Sequence, residues 1–174
     1  GEAAVVITLA SKFSGTYQSA VIAAADYENI HVVDGTSAAM GTGILVEFAF
    51  RLLDEGKSAE EIARILEEEK KKIVVVALVD TLEYLKRGGR ISKAVAFAGG
   101  VLNIKPVLSV IDGEIRLLGK ARGSKMGNNL LVQEIDKAGG IDFERPVLLG
   151  YSGISDALLL KYIEDSRHIW EGRL

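Results

Sequence analysis

Apolar strand segments alternate with helical segments through the first half of the chain. The strand segments are rich in valine and isoleucine and lie at residues 5–9, 30–33 and 73–79. Strands that alternate with helices usually pair in parallel, because each connection must cross the sheet and a helix supplies that crossover. The sequence therefore predicts an α/β fold with a mostly parallel sheet, in which the continuously apolar third strand is covered on both faces.

Local signals place the helices of this half. A helix is predicted over residues 15–26, a second over 41–55 that ends at Gly56, and a third that begins at Ser58. Ser58 and Glu61 have the spacing of a capping box, in which each side chain accepts a hydrogen bond from the backbone amide of the other residue.

The third helix carries acidic and basic residues at regular spacing. Glu67 with Lys71, and Glu68 with Lys72, stand four positions apart in the order that favours ion pairs on a helix. We interpret this charged run as a solvent-exposed face.

The second half of the chain contains hairpin signals as well as helices. Asp112 and Gly113 separate two apolar runs at residues 106–111 and 114–118, and Asp-Gly between such runs predicts a β-hairpin. The other elements predicted in this half are helices at 81–87, 92–98, 124–138 and 155–167 and a strand at 147–150. This half therefore mixes antiparallel and parallel pairing.

The change of pattern near Asp80 divides the chain. We predict a partial N-terminal α/β domain at residues 1–79 and a mixed α/β C-terminal domain at residues 80–174. A buried strand so close to the first residue would leave its flanks uncovered unless other strands precede it. We therefore expect the first domain to be incomplete at its amino end.

Composition argues against several classes of function. The 174 residues carry a net charge of −3, so the basic surplus typical of nucleic-acid binding is absent. Cysteine is also absent, which excludes disulfides and thiolate metal sites and fits a reducing compartment. No uncharged apolar stretch reaches the roughly 18 residues that a membrane helix needs. We expect a cytoplasmic protein with no transmembrane segment, no nucleic-acid partner and no metal.

The loop after the first strand has the composition of an anion site. Ser14, Gly15 and Thr16 follow the strand and open the first helix. A strand-to-helix turn leaves backbone N–H groups and the positive end of the helix dipole directed at one place. Ser14 adds a hydroxyl donor, and Gly15 lets a ligand approach the backbone closely. The loop is therefore suited to a carboxylate or a phosphate.

Other interpretations of the same loop stay open from the residues alone. A serine hydrolase or phosphatase would need a base beside Ser14, and the chain offers only His31 and His168 and no Gly-x-Ser-x-Gly turn. Nucleotide binding would have to proceed without the usual glycine-rich signatures. The remaining alternatives are a helix N-cap that binds no ligand and a regulatory domain with an empty site.

Several segments, taken together, resemble the DegV family. They are SKFSGTYQSA at residues 11–20, TLEYLKRGGRISKA at 81–94, IKPVL at 104–108, DG at 112–113 and KAR at 120–122. Their order and spacing match over nearly the whole chain. The resemblance implies a two-domain α/β fold, incomplete here at both ends. It also implies a bacterial fatty-acid-binding protein, a class in which some members present the acid to a separate kinase that phosphorylates its carboxylate for phospholipid synthesis.

The resemblance also implies roles for single residues. Ser14 would hold the carboxylate of the fatty acid, and Gly15 would add a backbone N–H. Arg90 and Arg122 correspond to basic residues that serve phosphoryl transfer or docking in members that act with a kinase. The family's upstream threonine motif and its histidine near the carboxyl end have no counterpart here, because His168 lies in a predicted helix outside that motif.

A fatty acid is held mainly by its tail. About fifteen methylenes at about 0.8 kcal/mol each give on the order of 12 kcal/mol, whereas each hydrogen bond to the carboxylate adds roughly 1.5–3 kcal/mol. The predicted tunnel wall combines small and large apolar residues, namely Ala94, Phe97, Ala98, Val101 and Leu102. Core packing is the alternative for each of them taken singly. The expected function is non-catalytic binding of a long-chain fatty acid, with no cofactor, and its presentation to a fatty acid kinase.

Overall fold

The computed structural model describes residues 2–91, 103–170 and 172–173, and within them it has a mixed α/β fold. One sheet has two strands and the other has three. The α/β class is therefore confirmed. The predicted helix at residues 92–98 lies outside the described residues.

The first sheet is formed by two parallel strands with helices after each. In chain order the elements are β1 (Ala4–Thr8), α1 (Thr16–Ala24), β2 (Ile30–Asp34), α2 (Met40–Asp54), α3 (Ala59–Glu69) and a 3₁₀ turn (Lys70–Lys72). β1 and β2 pair in parallel with Val6 opposite Val32. The predicted capping box is confirmed, since the Ser58 hydroxyl accepts from the Glu61 amide and the Glu61 carboxylate accepts from the Ser58 amide.

The second sheet is antiparallel and is built around a hairpin. The elements are β3 (Val76–Leu78), α4 (Glu83–Arg87), β4 (Ile104–Ile111), β5 (Glu114–Arg122), α5 (Gly123–Lys137), α6 (Ala157–Asp165) and α7 (Arg167–Trp170). The strand order is β3-β4-β5. Asp112 and Gly113 have φ values of 51° and 71°. Positive φ at both central residues is what the type I′ turn of a two-residue hairpin requires, so the predicted hairpin is confirmed.

Contacts divide the chain into two compact units. The first consists of Gly1–Val74, Val110–Glu114 and Glu144–Leu148, and the second of Val75–Ser109, Ile115–Phe143 and Leu149–Leu174. A domain is defined by its ability to fold alone. The domain boundary after residue 79 therefore stays a prediction.

The core of the first unit lies between β2 and the helices α2 and α3. Its buried members are Val33, Leu45, Leu52, Ile62 and Leu66. Leu45 and Leu52 are seven positions apart on α2, and Ile62 and Leu66 are four apart on α3, so each pair lies on one helix face. In the second unit, a smaller core is formed by Leu82, Ile91 and Leu108.

The ion pairs of α3 differ from the predicted ones. The structure pairs residues three positions apart, namely Glu67 with Lys70, Glu68 with Lys71 and Glu69 with Lys72, at 2.6, 2.9 and 2.7 Å. The chain tightens into a 3₁₀ turn here, and residues three apart are eclipsed in that geometry. The Lys70 side chain is only 9% exposed, so the charged run is not a purely solvent-exposed face.

The predicted third parallel strand is also wrong. Over residues 73–79 the structure has only the short strand β3, which pairs antiparallel with β4, with Val76 opposite Ser109. Val74 is 55% exposed rather than covered. The apolar run correctly indicated a strand. It could not indicate the direction of pairing, because that depends on the strand beside which the segment packs.

Two predictions near the carboxyl end need correction. The segment predicted as a strand at 147–150 has no regular secondary structure, and neither described sheet includes it. The helix predicted at 155–167 is divided at Ser166 into α6 and α7. The Ser166 hydroxyl donates to the carbonyl of Tyr162 one turn earlier, and a serine bonded in this way bends a helix. Across the described residues, no helix is both long and apolar enough to cross a bilayer.

Gly35 is the glycine on which the end of the first sheet depends. A Cβ at this position would lie 2.4 Å from the Thr8 carbonyl oxygen, whereas a Cβ at Gly15 would meet nothing within 4 Å. We expect Gly35→Ala to lower the free energy of unfolding by about 1–3 kcal/mol, because backbone must move to admit the methyl group. Gly15→Ala is the matched control and should change it by less than about 1 kcal/mol. Urea unfolding measures both, and equal effects would contradict this packing.

Candidate functional site

Two loops meet at one edge of the first sheet. Because β1 and β2 are parallel, the segments that follow them leave from the same side. The Gly35 amide donates to the Thr8 carbonyl at 3.0 Å, and the Ala10 amide donates to the Ser37 carbonyl at 2.7 Å. The first bond joins the end of β1 to the loop after β2, and the second joins the loop after β1 to the same loop.

The loop after β1, which we call the first loop (residues 9–15), turns tightly before α1. Ala10 is buried, and its carbonyl accepts hydrogen bonds from the amides of Phe13 and Ser14 at 2.9 and 3.3 Å. The chain is thus folded back on itself just before the helix. Ser14 and Gly15 are thereby placed at the start of α1.

Ser14 is half-buried, and its hydroxyl bonds within its own turn. It accepts from the Thr16 amide at 3.2 Å and lies 2.7 Å from the Thr16 hydroxyl oxygen. When the Thr16 hydroxyl donates in this pair, the hydrogen of the Ser14 hydroxyl is available for an acceptor. Gly15, not Ser14, occupies the N-cap position, and it makes no side-chain cap bond.

The start of α1 is electrostatically suited to an anion. The amides of Gly15, Tyr17 and Gln18 belong to the group that has no acceptor within a helix. The first turn contains no acidic residue, so no side chain there compensates the positive end of the helix dipole. A carboxylate or phosphate at this turn would receive both the amide hydrogens and that dipole.

The tip of the β4–β5 hairpin, which belongs to the first unit, packs on the first loop. A Cβ at Gly113 would lie 3.3 Å from the Cβ of Ala10. Lys12 and Glu114 form an ion pair at 3.4 Å with both side chains about half exposed. An exposed pair of this kind contributes little to stability, so the loop is held mainly by its backbone bonds.

Asp34, which the sequence analysis did not single out, joins the two loops through its side chain. Its Oδ1 accepts from the Ser11 amide at 3.2 Å and from the Thr36 amide at 2.9 Å. Burial raises the pKa of this carboxyl, but hydrogen bonds from Ser11 and Thr36, together with the charge of Lys70, outweigh it and the pKa is lowered. The signal that could have found Asp34 is its place at the end of β2, beside the Ser14 loop in a parallel pair.

The other predicted site residues lie in the second unit or outside the described residues. Arg90 and Arg122 are both exposed. The Arg90 guanidinium donates to the Gly88 carbonyl, and Arg122 ends β5 at the N-cap of α5. The predicted tunnel residues Ala94, Phe97, Ala98, Val101 and Leu102 lie outside the described residues.

The geometry of Ser14 does not favour nucleophilic catalysis. In the described part of the chain, the Ser14 hydroxyl forms its hydrogen bonds with the amide and the hydroxyl of Thr16, and neither bond involves a histidine. His31 lies in β2, opposite Val5 in the register. A nucleophilic serine needs a base within hydrogen-bond reach. Within residues 2–91, 103–170 and 172–173, no three His, Cys, Asp or Glu side chains are arranged to hold a metal ion.

The lowered pKa of Asp34 predicts a pH dependence. A carboxyl whose folded pKa lies below its ordinary value of 3.8 stabilises the fold above that value, and the contribution is lost as the pH falls through the folded pKa. We expect Asp34→Asn to reduce the loss of unfolding free energy between pH 5 and about pH 2.5, because the amide cannot titrate. Urea unfolding at a series of pH values tests this. Parallel curves for the two proteins would contradict it.

Comparison with known proteins gives a family and a fold. The family model described as "Uncharacterised protein, DegV family" matches residues 1–168. A DegV domain-containing protein of Caldanaerobacter subterraneus subsp. tengcongensis is 44% identical over 146 residues, which cover 82% of this chain and 52% of the relative. The chain spans about half the length of the curated relatives it matches.

Solved structures extend the comparison. A DegV family protein from Eubacterium eligens loaded with heptadecanoic acid has a TM-score of 0.80 and 27% identity, covering 99% of this chain and 63% of that one. The Streptococcus pneumoniae Fatty Acid Kinase (Fak) B3 protein loaded with linoleic acid has a TM-score of 0.70 and 32% identity, covering 78% of this chain and 51% of that one.

Proposed function

This chain belongs to the DegV family, and from that membership and the geometry of the first loop we propose that it binds a long-chain fatty acid. The carboxylate is held at the start of α1 by the Ser14 hydroxyl and the Gly15 amide, and the acyl chain lies in an apolar tunnel. The chain itself performs no chemistry on the acid. Its role is to carry the acid and to present the carboxylate to a separate fatty acid kinase.

The observation that carries this proposal is the uncompensated start of α1. Among the described residues, Ser14 is the only one whose side-chain hydroxyl bonds the Thr16 amide, which is the first amide of α1. The hydrogen of the Ser14 hydroxyl is available to a ligand when the Thr16 hydroxyl donates to Ser14. A DegV family protein of similar structure is loaded with heptadecanoic acid, and the Fak B3 protein, also of similar structure, is loaded with linoleic acid. The head group of each acid is a carboxylate. The local chemistry and the ligands of the relatives therefore agree.

The two ends of the ligand have different roles, because the acyl chain supplies most of the affinity and the carboxylate sets the orientation. Burial of a long acyl chain supplies on the order of 12 kcal/mol before ordering costs, and the head group supplies roughly 1.5–3 kcal/mol for each charged hydrogen bond. Loss of Ser14 should therefore weaken binding without abolishing it. Gly15 is exposed, so a carboxylate held there can be reached by a second protein.

Release of the native ligand tests the proposal directly. Denatured protein purified from bacteria should yield close to one fatty acid per chain by mass spectrometry. Ser14→Ala should lower the affinity for a fatty acid by roughly 10- to 100-fold, because one hydrogen bond to a carboxylate is lost. The lower affinity should appear as reduced retention of the acid during purification.

Ser19→Ala is the matched control, since Ser19 is exposed on α1 beyond its first turn. This variant should retain the fatty acid as the wild type does. Absence of any fatty acid from the wild type and from reconstitution with added acid would contradict the proposal. Hydrolysis of ester or phosphate substrates by the chain alone, lost in Ser14→Ala, would favour the hydrolase instead.

Presentation to a kinase is supported by the similarity to the Fak B3 protein. Phosphorylation of a carboxylate brings a phosphoryl group to the head of the ligand, and arginine is the residue whose planar cation matches phosphate oxygens. Arg90 and Arg122 are exposed, and the resemblance of their segments to the family implies this role for them. We assign them to contact with the phosphoryl group or with the kinase.

Arginine variants separate binding from presentation. Arg90→Ala and Arg122→Ala should leave fatty acid affinity within about threefold of the wild type while lowering turnover with a fatty acid kinase on the order of tenfold or more. Arg64→Ala, at an exposed position of α3, is the control and should leave both unchanged. Equal loss of binding and turnover in the two variants would reject the docking role.

A further inference from the structure

The Asp34 carboxylate links the two loops at the edge of the first sheet. One oxygen, Oδ1, accepts both the Ser11 amide of the first loop and the Thr36 amide of the loop after β2, at 3.2 and 2.9 Å. Ser11 is 23 positions away in sequence. Together with the backbone bonds from Gly35 to Thr8 and from Ala10 to Ser37, this carboxylate joins segments that the chain connects only through α1 and β2.

Asp34 is itself held in place from behind. The Lys70 ammonium donates to the Asp34 backbone carbonyl at 2.8 Å and forms an ion pair with Glu67 at 2.6 Å. The Lys70 side chain is only 9% exposed, so its position is restricted. Its positive charge also offsets the negative charge that Asp34 places near a site for an anion.

The backbone at Thr36 shows what this carboxylate maintains. Thr36 has a φ of 48°, in a region that a β-branched residue rarely adopts. Such a conformation persists only where its surroundings fix it. The bond from the Thr36 amide to Asp34, and the bond from the Gly35 amide to Thr8, are the contacts that do so.

We propose that Asp34 is the positioning residue of the head-group site. By accepting the Ser11 amide it fixes the start of the first loop, and the bonds from Phe13 and Ser14 to Ala10 carry that position to the Ser14 hydroxyl. Asp34 does not touch the fatty acid. Its effect is to aim the hydroxyl and the first amides of α1 at one point, and this role rests on the proposed function.

A positioning role predicts a change in head-group preference rather than in tail binding. The readout is the ratio of affinities for palmitic acid and for hexadecan-1-ol, which share a sixteen-carbon chain and differ in the head group. Dissociation constants are measured on the delipidated chain by competition with a fluorescent fatty acid. We expect Asp34→Ala to lower the acid-to-alcohol ratio on the order of tenfold and to leave the affinity for the alcohol within about threefold.

Two further variants separate geometry from charge. Asp34→Asn keeps an oxygen acceptor at the same place but loses the charge, and it should preserve the ratio or increase it. Asp34→Glu keeps the charge but displaces the acceptor by one methylene, and it should lower the ratio as Asp34→Ala does. Asp26→Ala, an exposed aspartate after α1, is the matched control and should behave as the wild type.

A second measurement does not depend on any ligand. Hydrogen exchange of the Ser11 and Thr36 amides should be faster in Asp34→Glu and Asp34→Ala than in the wild type, and close to the wild type in Asp34→Asn. An equal weakening of acid and alcohol, an unchanged ratio in Asp34→Ala, or a ratio lost in Asp34→Asn but kept in Asp34→Glu would each overturn the positioning role. Failure of the wild type to bind palmitic acid would overturn the proposed function, and unchanged exchange would then reject Asp34 as the anchor of the loop.

Discussion

The parallel pairing of β1 and β2 is the constraint on which the candidate site depends. It brings the loops that follow both strands to one edge, where backbone bonds from Gly35 to Thr8 and from Ala10 to Ser37 join them. An antiparallel pair would send the two loops to opposite ends of the sheet. The start of α1 would then have no second segment to support it.

Support of the first loop comes mostly from hydrogen bonds to backbone amides. Such bonds are directional and short, so they define the position of the Ser14 turn better than the exposed ion pair of Lys12 and Glu114 can. Small residues are needed where backbones meet, and the close approach of Gly35 to Thr8 is the clearest case. The site is therefore defined by the backbone bonds at the sheet edge together with the Asp34 carboxylate.

The electrostatic arrangement combines a cationic and an anionic element without conflict. The helix start is positive and lacks acidic compensation, whereas Asp34 is negative and lies in the neighbouring loop. The Ser11 and Thr36 amides donate to the carboxylate, and the nearby Lys70 ammonium partly offsets its negative charge. An aspartate can therefore serve as a structural acceptor beside a site proposed for an anion. Affinity for a fatty acid would still depend chiefly on its tail, while this edge would set the direction of its head.

The sequence by itself determined the features whose causes are local. The capping box at Ser58, the hairpin turn at Asp112 and the strand-to-helix turn at Ser14 each depend on a few neighbouring residues, and their patterns were sufficient. The family could be recognised for a related reason, since its motifs are short and ordered. The tertiary structure alone decided the pairing of segments distant in the chain, so residues 73–79 form a short antiparallel strand and residues 147–150 form no strand. It also decided the role of Asp34, because a hydrogen bond between residues 23 positions apart exists only once the sheet has brought them together.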